Sequence, residues 1–168
     1  MITTRPETTH DMEAIRAVNR LAFGGDDEAR LVDALRDGGY ARLSLVAEID
    51  RQIVGHILFS DLLIVTPSET VPALALAPMA VLPDHQRQGI GSELARRGLA
   101  VCRELGHSIV IVLGHPDFYP RFGFSVELAS RLQSVYSGES FMALELVAGA
   151  LGGTDGEVLY PPPFGELS

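Results

Sequence analysis

Apolar residues near the start of the chain recur at the spacing of an amphipathic helix. Between residues 12 and 22 this pattern predicts a first helix, which ends at Gly24-Gly25. The acids Asp26-Asp27-Glu28 then mark the start of a second helix, because negative charge is favourable at a helix N-terminus. Apolar residues within 31–35 give the second helix a buried face, and Gly38-Gly39 ends it.

The next stretch of the chain alternates between apolar segments and turns, as strands do. Residues 43–49 and 52–59 predict two strands joined by a tight turn, and residues 62–65 continue as a strand. A polar loop is predicted over 66–72, and a further strand over 73–81.

A strand–helix–strand unit is predicted in the middle of the chain. Residues 92–105 form a long helix, and the wholly apolar run 108–113 is typical of a strand buried on both faces. Because a helix connects them, the strands 73–81 and 108–113 are expected to be parallel neighbours. Pro78 cannot donate to a ladder of backbone hydrogen bonds, so it indicates an edge, a bulge or a local splay.

The last part of the chain predicts closing strands at 141–147 and 157–160, which would form a terminal hairpin. Residues 161–164 are expected to be extended. Because no repeat or linker is visible, we expect a single domain over residues 1–168.

The composition argues against several classes of function. The 168 residues are 46% hydrophobic, as in a compact globular protein, and a net charge of −9 disfavours a nucleic-acid partner. The apolar run 71–83 is too short to span a bilayer, and the first residues lack the layout of a signal peptide, so we expect a cytoplasmic protein without a membrane partner. Cys102 is the single cysteine, which excludes an intrachain disulfide and a cysteine-based zinc cluster, and no metal is expected.

One motif joins a predicted strand to the long helix. The segment from Gln86 to Gly91 reads Q-x-x-G-x-G, and its glycines let backbone N–H groups converge at the positive end of the helix. The usual ligand of such an anion-binding site is a phosphate or pyrophosphate. A dinucleotide fingerprint would need a third glycine where Leu94 stands, and a nucleotide P-loop would need a lysine that this segment lacks.

A second motif lies directly after the strand 108–113. The part from Tyr119 to Phe124 fits the pattern Y-x-x-x-G-F, within a segment that begins at Gly114. The two motifs, in this order, resemble those of the GNAT (Gcn5-related) superfamily of N-acetyltransferases, and the longer segment is similar to a bacterial subgroup of small N-acetyltransferases. The resemblance covers nearly the whole chain. It implies an α/β (α+β) fold with a mixed central sheet, splayed between its fourth and fifth strands, and helices on both faces.

The resemblance also implies a reaction and a site for its co-substrate. In this family an amine attacks the thioester of acetyl-CoA directly, and an unpaired strand N–H can bind the thioester oxygen as it gains charge. Loop amides bind the pyrophosphate, and strand backbone pairs with the pantetheine arm. The matching positions here are Met79, Ala80 and Val81 for the pantetheine, and Arg87, Gln88, Gly89, Ile90, Gly91 and Ser92 for the pyrophosphate.

Tyr119 matches the family's usual proton donor to the departing CoA sulfur. The alternative is a tyrosine that only packs beneath the cofactor. Many members carry an asparagine seven residues before this tyrosine, on a helix, whereas this chain has Val112 there, still within a strand. The tyrosine could therefore be placed differently in this protein.

The general base is not identified by the resemblance, because the strand 73–81 contains no acid. His115 is the candidate base, since a neutral imidazole suits amine deprotonation near neutral pH, and a structural histidine is an equal alternative. His56 is expected to be a hydrogen-bonded core histidine, and Asp61 and Glu48 are further candidates without a specific signal.

By the same resemblance, the acceptor enters opposite the cofactor, near residues 23–28, 134–139 and 160–164. Asp26, Asp27 and Glu28 could attract a cation there, although their place at a helix start explains them equally. We expect the acceptor to be a small-molecule amine, and the sequence does not distinguish a metabolite from a peptide amine. The alternative function is a GNAT-fold acyl-CoA-binding module without turnover. Transfer of a longer acyl group and a homodimer through the C-terminal strands are also compatible with the sequence.

Overall fold

The computed structural model describes residues 1–153 and 155–166. The helices within them are α1 (Met12–Phe23), α2 (Asp27–Asp37), α3 (Ile90–Glu104) and the short α4 (Val126–Ala129). The strands are β1 (Thr3–Pro6), β2 (Ala41–Ile49), β3 (Gln52–Val65), β4 (Thr70–Val81), β5 (Ile109–Leu113), β6 (Leu132–Gln133), β7 (Phe141–Glu145) and β8 (Gly156–Leu159). Single 3-10 turns cover Thr9–Asp11, Pro83–His85, Tyr119–Phe122 and Pro162–Glu166.

The strands form one mixed sheet in the order β1-β2-β3-β4-β5-β7. Neighbours along this path are antiparallel except β4 and β5, which are parallel as their helical connection requires. Strand β8 pairs with the far end of β3 and, in parallel, with β6. This confirms the mixed sheet and the parallel strand pair expected from the sequence.

The sheet is splayed between its fourth and fifth strands. Among the described residues, β4 pairs with β5 only over Leu74–Leu76, opposite 110–112 of β5. Beyond this point Pro78 follows a cis peptide bond, and β4 continues to Val81 paired with β3 alone. The backbone edge of β4 that faces β5 is therefore free at its C-terminal end.

The two faces of the sheet carry separate hydrophobic clusters. One contains Leu58 of β3 together with residues of α1 and α2, and the other contains Ile57 and Phe59 together with residues of α3. This alternation follows from the period of two along a strand. Helices thus cover both faces, as expected.

Neither a membrane-spanning helix nor a metal-binding cluster is found in the described part of the chain. None of its helices combines the length and apolar character needed to cross a bilayer. Its His, Cys, Asp and Glu side chains do not come together in groups of three or more that could hold a metal ion.

Strand β1 was not expected, because its sequence has no apolar alternation. It is held by pairing with β2 and by the guanidinium of Arg5, which donates hydrogen bonds to Glu48 and to Asp11. The Arg5 contact holds the pKa of the Asp11 carboxyl well below its usual range. Polar contacts of this kind leave no periodic signal in the sequence.

The expected terminal hairpin is wrong. Strand β7 pairs with β5, whereas β8 pairs with Leu63–Val65 of β3. The reason is the length of β3, which has 14 residues against 9 in β2, so its last residues have an edge that β2 does not cover. The predicted loop 66–72 is also too long, since β4 begins at Thr70, and the tail is a 3-10 turn over Pro162–Glu166 where an extended segment was expected.

Candidate active site

A cleft of about 1170 Å³ opens where β4 and β5 diverge. One end is lined by the end of β4, by the loop 85–92 and by residues 113–121 after β5. The other end is lined by residues of α2 and by aromatic side chains from the C-terminal part of the chain. The cleft therefore runs through the gap in the sheet, from the α3 face towards the α2 face.

The loop that precedes α3 has the geometry of an anion cradle. Gly89 adopts φ 85° as the residue before the helix, and Arg87 adopts φ 65°, so the chain turns sharply at both positions. The first amides of α3 have no partner within the helix, and Gly89, Gly91 and Ser92 lie along the cleft. These amides and the positive end of the helix can bind a phosphate group.

Glutamine side chains tie the loop to the strand and the turn before it. The Gln86 amide donates to the Val81 carbonyl oxygen at 3.1 Å, and the Gln88 amide donates to the Asp84 carbonyl oxygen at 3.4 Å. The glutamine of the Q-x-x-G-x-G motif thus fixes the start of the loop against the end of β4.

A glycine at position 91 keeps the floor of the cleft open. A Cβ atom there would lie 3.3 Å from Cε of Met79 and 3.8 Å from Cζ of Phe118. A larger side chain would fill the space between the loop and β4.

Most of the predicted co-substrate residues border this cleft. The residues that do so are Met79, Val81, Arg87, Gly89, Ile90, Gly91 and Ser92. Ala80 and Gln88 do not line it: Ala80 is buried opposite His56, and Gln88 is exposed on the loop. Ile90 is itself a core residue, so its backbone is the part that a ligand can contact.

Tyr119 begins the 3-10 turn after β5 and lines the cleft with 7% of its surface exposed. Its ring makes edge contacts with Phe118 and Phe124, at centroid distances of 5.0 and 5.6 Å. A Cβ on Gly114 would collide with the same ring, so only glycine allows this approach. Burial raises the pKa of Tyr119 to about 12, which keeps the phenol protonated at neutral pH.

His115 is exposed at the cleft wall, four residues before Tyr119. Its carbonyl oxygen accepts hydrogen bonds from the backbone N–H groups of Phe118, at 3.1 Å, and Tyr119, at 3.3 Å. The His115 backbone therefore shapes the turn that presents Tyr119, while its imidazole is available to the cleft.

The other candidate bases lie elsewhere. His56 is fully buried, with Nδ1 3.3 Å from the Asn19 amide and Nε2 2.9 Å from Ser44 Oγ, and burial lowers its pKa to about 3. It is the hydrogen-bonded core histidine that the sequence indicated. Asp61 is paired with Arg42 and Glu48 with Arg5, and neither acid lines the cleft.

The far end of the cleft brings together the three segments expected near the acceptor. Phe23, Glu28, Tyr136, Tyr160 and Phe164 all line it. Asp26 and Asp27 do not line it, and Asp26 forms a salt bridge with Arg20 across 2.9 Å. Of the three acids that the sequence left open, Glu28 alone therefore faces this space.

Two sets of side-chain contacts in the site were not predicted from the sequence. Phe118 packs close to Gly91 and carries the Arg121 guanidinium over its ring at 5.2 Å, which joins the two motifs in space. The aromatic contacts of Tyr160 with Tyr136 and with Phe164 join segments that no periodic pattern connected.

Comparison with known proteins gives a consistent result. The family model described as "Acetyltransferase (GNAT) domain" matches residues 3–126. The uncharacterized N-acetyltransferase YhbS of Escherichia coli strain K12 is 34% identical over 166 residues, which are 97% of this chain and 98% of YhbS. The crystal structure of Escherichia coli YhbS in complex with CoA matches with a TM-score of 0.90, covering 99% of this chain and 93% of that one. A GNAT family acetyltransferase from Brucella melitensis in complex with acetyl-CoA is 33% identical, with a TM-score of 0.79 over 98% of both chains.

Proposed function

The chain belongs to the GNAT acetyltransferase family, and we propose that it transfers an acetyl group from acetyl-CoA to the primary amine of a small molecule. The observation that carries the proposal is a single cleft with the loop before α3 at one end and a buried tyrosine along its wall. The two structural relatives with CoA and acetyl-CoA bound support this choice of donor.

In this proposal the donor lies along the free edge of β4. The pyrophosphate accepts hydrogen bonds from the amides of residues 87–92, and the pantetheine arm pairs with the backbone of Met79, Ala80 and Val81. The free edge supplies N–H and C=O groups that would otherwise meet only water. Arg121, held over Phe118 beside Gly91, adds positive charge at the phosphate end.

The reaction is a direct transfer. The amine nitrogen attacks the thioester carbon, the carbon–sulfur bond breaks, and an amide forms while the thiolate leaves. A backbone N–H of β4 stabilises the charge on the thioester oxygen. An acceptor that binds as an ammonium ion first loses one proton to His115, because only the neutral amine can attack. The sulfur gains a proton from Tyr119, and the second proton lost by the nitrogen restores the phenol.

Binding of the donor is tested by thermal unfolding. A donor at about one hundred times its Kd stabilises the folded protein by about 2.7 kcal/mol, which is a rise in Tm of roughly 5–11 °C for a chain of this size. We expect this rise with acetyl-CoA and none with ATP or NAD. The Gly91→Glu variant should lose the rise, because the new side chain fills the cleft floor and adds negative charge.

A matched control is Gly25→Glu, since a side chain at Gly25 meets no atom within 4 Å and the residue does not line the cleft. This variant should keep the full rise. A rise that survives in Gly91→Glu would contradict the assignment of the loop. Release of CoA with a panel of amines then separates the enzyme from an acyl-CoA-binding module, because the module would bind acetyl-CoA and release no CoA.

A further inference from the structure

The two ends of the cleft differ in charge, although one acid, Asp117, lies with the arginines at the first end. Arg87 and Arg121 line the end that contains the loop before α3, where Arg121 sits over Phe118 close to Gly91. Glu28 lines the other end, on the face of the sheet covered by α2. An anionic ligand is favoured at the first end and a cationic ligand at the second.

Within the described part of the chain, Glu28 differs from the other acids of its neighbourhood in having no cationic partner. Asp26 is paired with Arg20 and Asp33 with Arg16, each at 2.9 Å. The Glu28 side chain is half-buried and, within residues 1–153 and 155–166, makes neither an ion pair nor a hydrogen bond. A half-buried carboxylate gains from a charged hydrogen-bond donor, which a cationic ligand in the cleft would supply.

The same end of the cleft has an aromatic wall. Tyr160 lies between Tyr136 and Phe164, with ring centroids 5.3 and 5.1 Å away. Phe164 is only 6% exposed, and Leu31 and Ile111 complete an apolar surface around the rings. Such a wall binds the apolar body of a ligand and the faces of its rings.

We propose that the acceptor is a monoamine with an apolar, preferably aromatic, body. Its ammonium group is held by Glu28, and its body lies against the aromatic wall of Tyr136, Tyr160 and Phe164. This assignment of a substrate class rests on the function proposed above. Among the described residues, Asp117 is the other acid that lines the cleft, and it lies beside Phe118 at the opposite end. A second ammonium would therefore face the apolar wall, so polyamines are poor acceptors in this arrangement.

The test compares amines and variants by the release of CoA. We expect phenethylamine to be acetylated with a much higher kcat/KM than spermidine or a short lysine peptide. Glu28→Gln should raise the KM for phenethylamine roughly ten- to hundredfold, the effect of losing one charge-assisted hydrogen bond. The rise in Tm with acetyl-CoA should be unchanged in this variant. Asp27→Asn is the matched control, since it removes one charge from the same helix turn outside the cleft, and its KM should stay within about twofold of the parent.

A second variant tests the aromatic wall. Tyr136→Leu keeps an apolar side chain and removes the ring. The KM should therefore rise more for phenethylamine, which loses a ring–ring contact, than for hexylamine.

Four outcomes would overturn the inference while the acetyltransferase survives. Two concern the amines: spermidine or the peptide is the better acceptor, or protein that binds acetyl-CoA does not turn over phenethylamine. Two concern the variants: Glu28→Gln and Asp27→Asn have equal KM values, or Tyr136→Leu changes the KM equally for phenethylamine and hexylamine. Failure to bind acetyl-CoA at all would instead refute the proposed function.

Discussion

Replacing Gly114 by alanine tests whether the position of Tyr119 matters for turnover. A Cβ at residue 114 would lie 2.7 Å from Cδ2 of the tyrosine, whereas ordinary contact begins at 3.4 Å. The ring cannot yield freely, because Phe118 and Phe124 contact it on other sides. It must therefore move on the order of 1 Å, and a misplacement of that size can lower a rate about a hundredfold.

The same clash has a cost in stability. Overpacking a filled site costs about 1–3 kcal/mol, so the free energy of unfolding of Gly114→Ala should fall by this amount. Removing the ring by Tyr119→Ala costs about 3–5 kcal/mol by itself. In the double variant the clash is absent, and the total loss should be smaller than the sum of the two single losses by about 1–3 kcal/mol.

Urea unfolding and CoA release measure the two effects on the same samples. Gly25→Ala is the control, because its Cβ meets no atom within 4 Å. It should leave kcat unchanged and should not destabilise the protein. Additive losses in the double variant, or a kcat for Gly114→Ala equal to that of the parent, would refute the reasoning.

Three further predictions concern titratable side chains. Tyr119→Phe should lower kcat about a hundredfold with little change in acetyl-CoA affinity, and full activity would leave Tyr119 a packing residue. Because its pKa is raised to about 12, its deprotonation should cause no loss of kcat from neutral pH up to about pH 10. His115→Ala should remove the acidic limb of the pH–rate profile, and an unchanged limb would exclude His115 as the base. The lowered pKa of His56 makes the unfolded state bind one more proton below pH 6.5, so stability should fall by up to about 1.4 kcal/mol per pH unit down to about pH 3. Urea unfolding at several pH values should show that the free energy of unfolding depends less steeply on pH in His56→Gln. An equal dependence in the two proteins would contradict the lowered pKa of His56.

The centre of the fold could be predicted because its signals are local. The all-apolar run that became β5 and the helix before it determine a parallel neighbour for β4, whatever the rest of the chain does. Pro78 indicated the splay because it has no N–H to donate. The positions of β7 and β8 could not be predicted, because they depend on which sheet edges other strands leave open.

The candidate site divides in the same way. The loop before α3 and the Tyr119 turn were found because each is a short motif with a fixed spacing. Glu28 could not be separated from Asp26 by sequence, since both suit a helix start. The distinction lies in Arg20, which takes Asp26 as its partner and leaves Glu28 at the cleft.

The short junction between β4 and β5 leaves the two halves of the sheet joined by few backbone pairs. Three residue pairs, from Leu74–Val110 to Leu76–Val112, join the half-sheet β1–β4 to the half formed by β5 and β7. Met79 belongs to the first half, and Tyr119 follows β5 in the second. A donor that pairs along the free edge of β4 would bridge the two halves. It would fix the distance from its thioester to the phenol of Tyr119. The arrival of the first substrate would then complete the geometry that the second substrate needs.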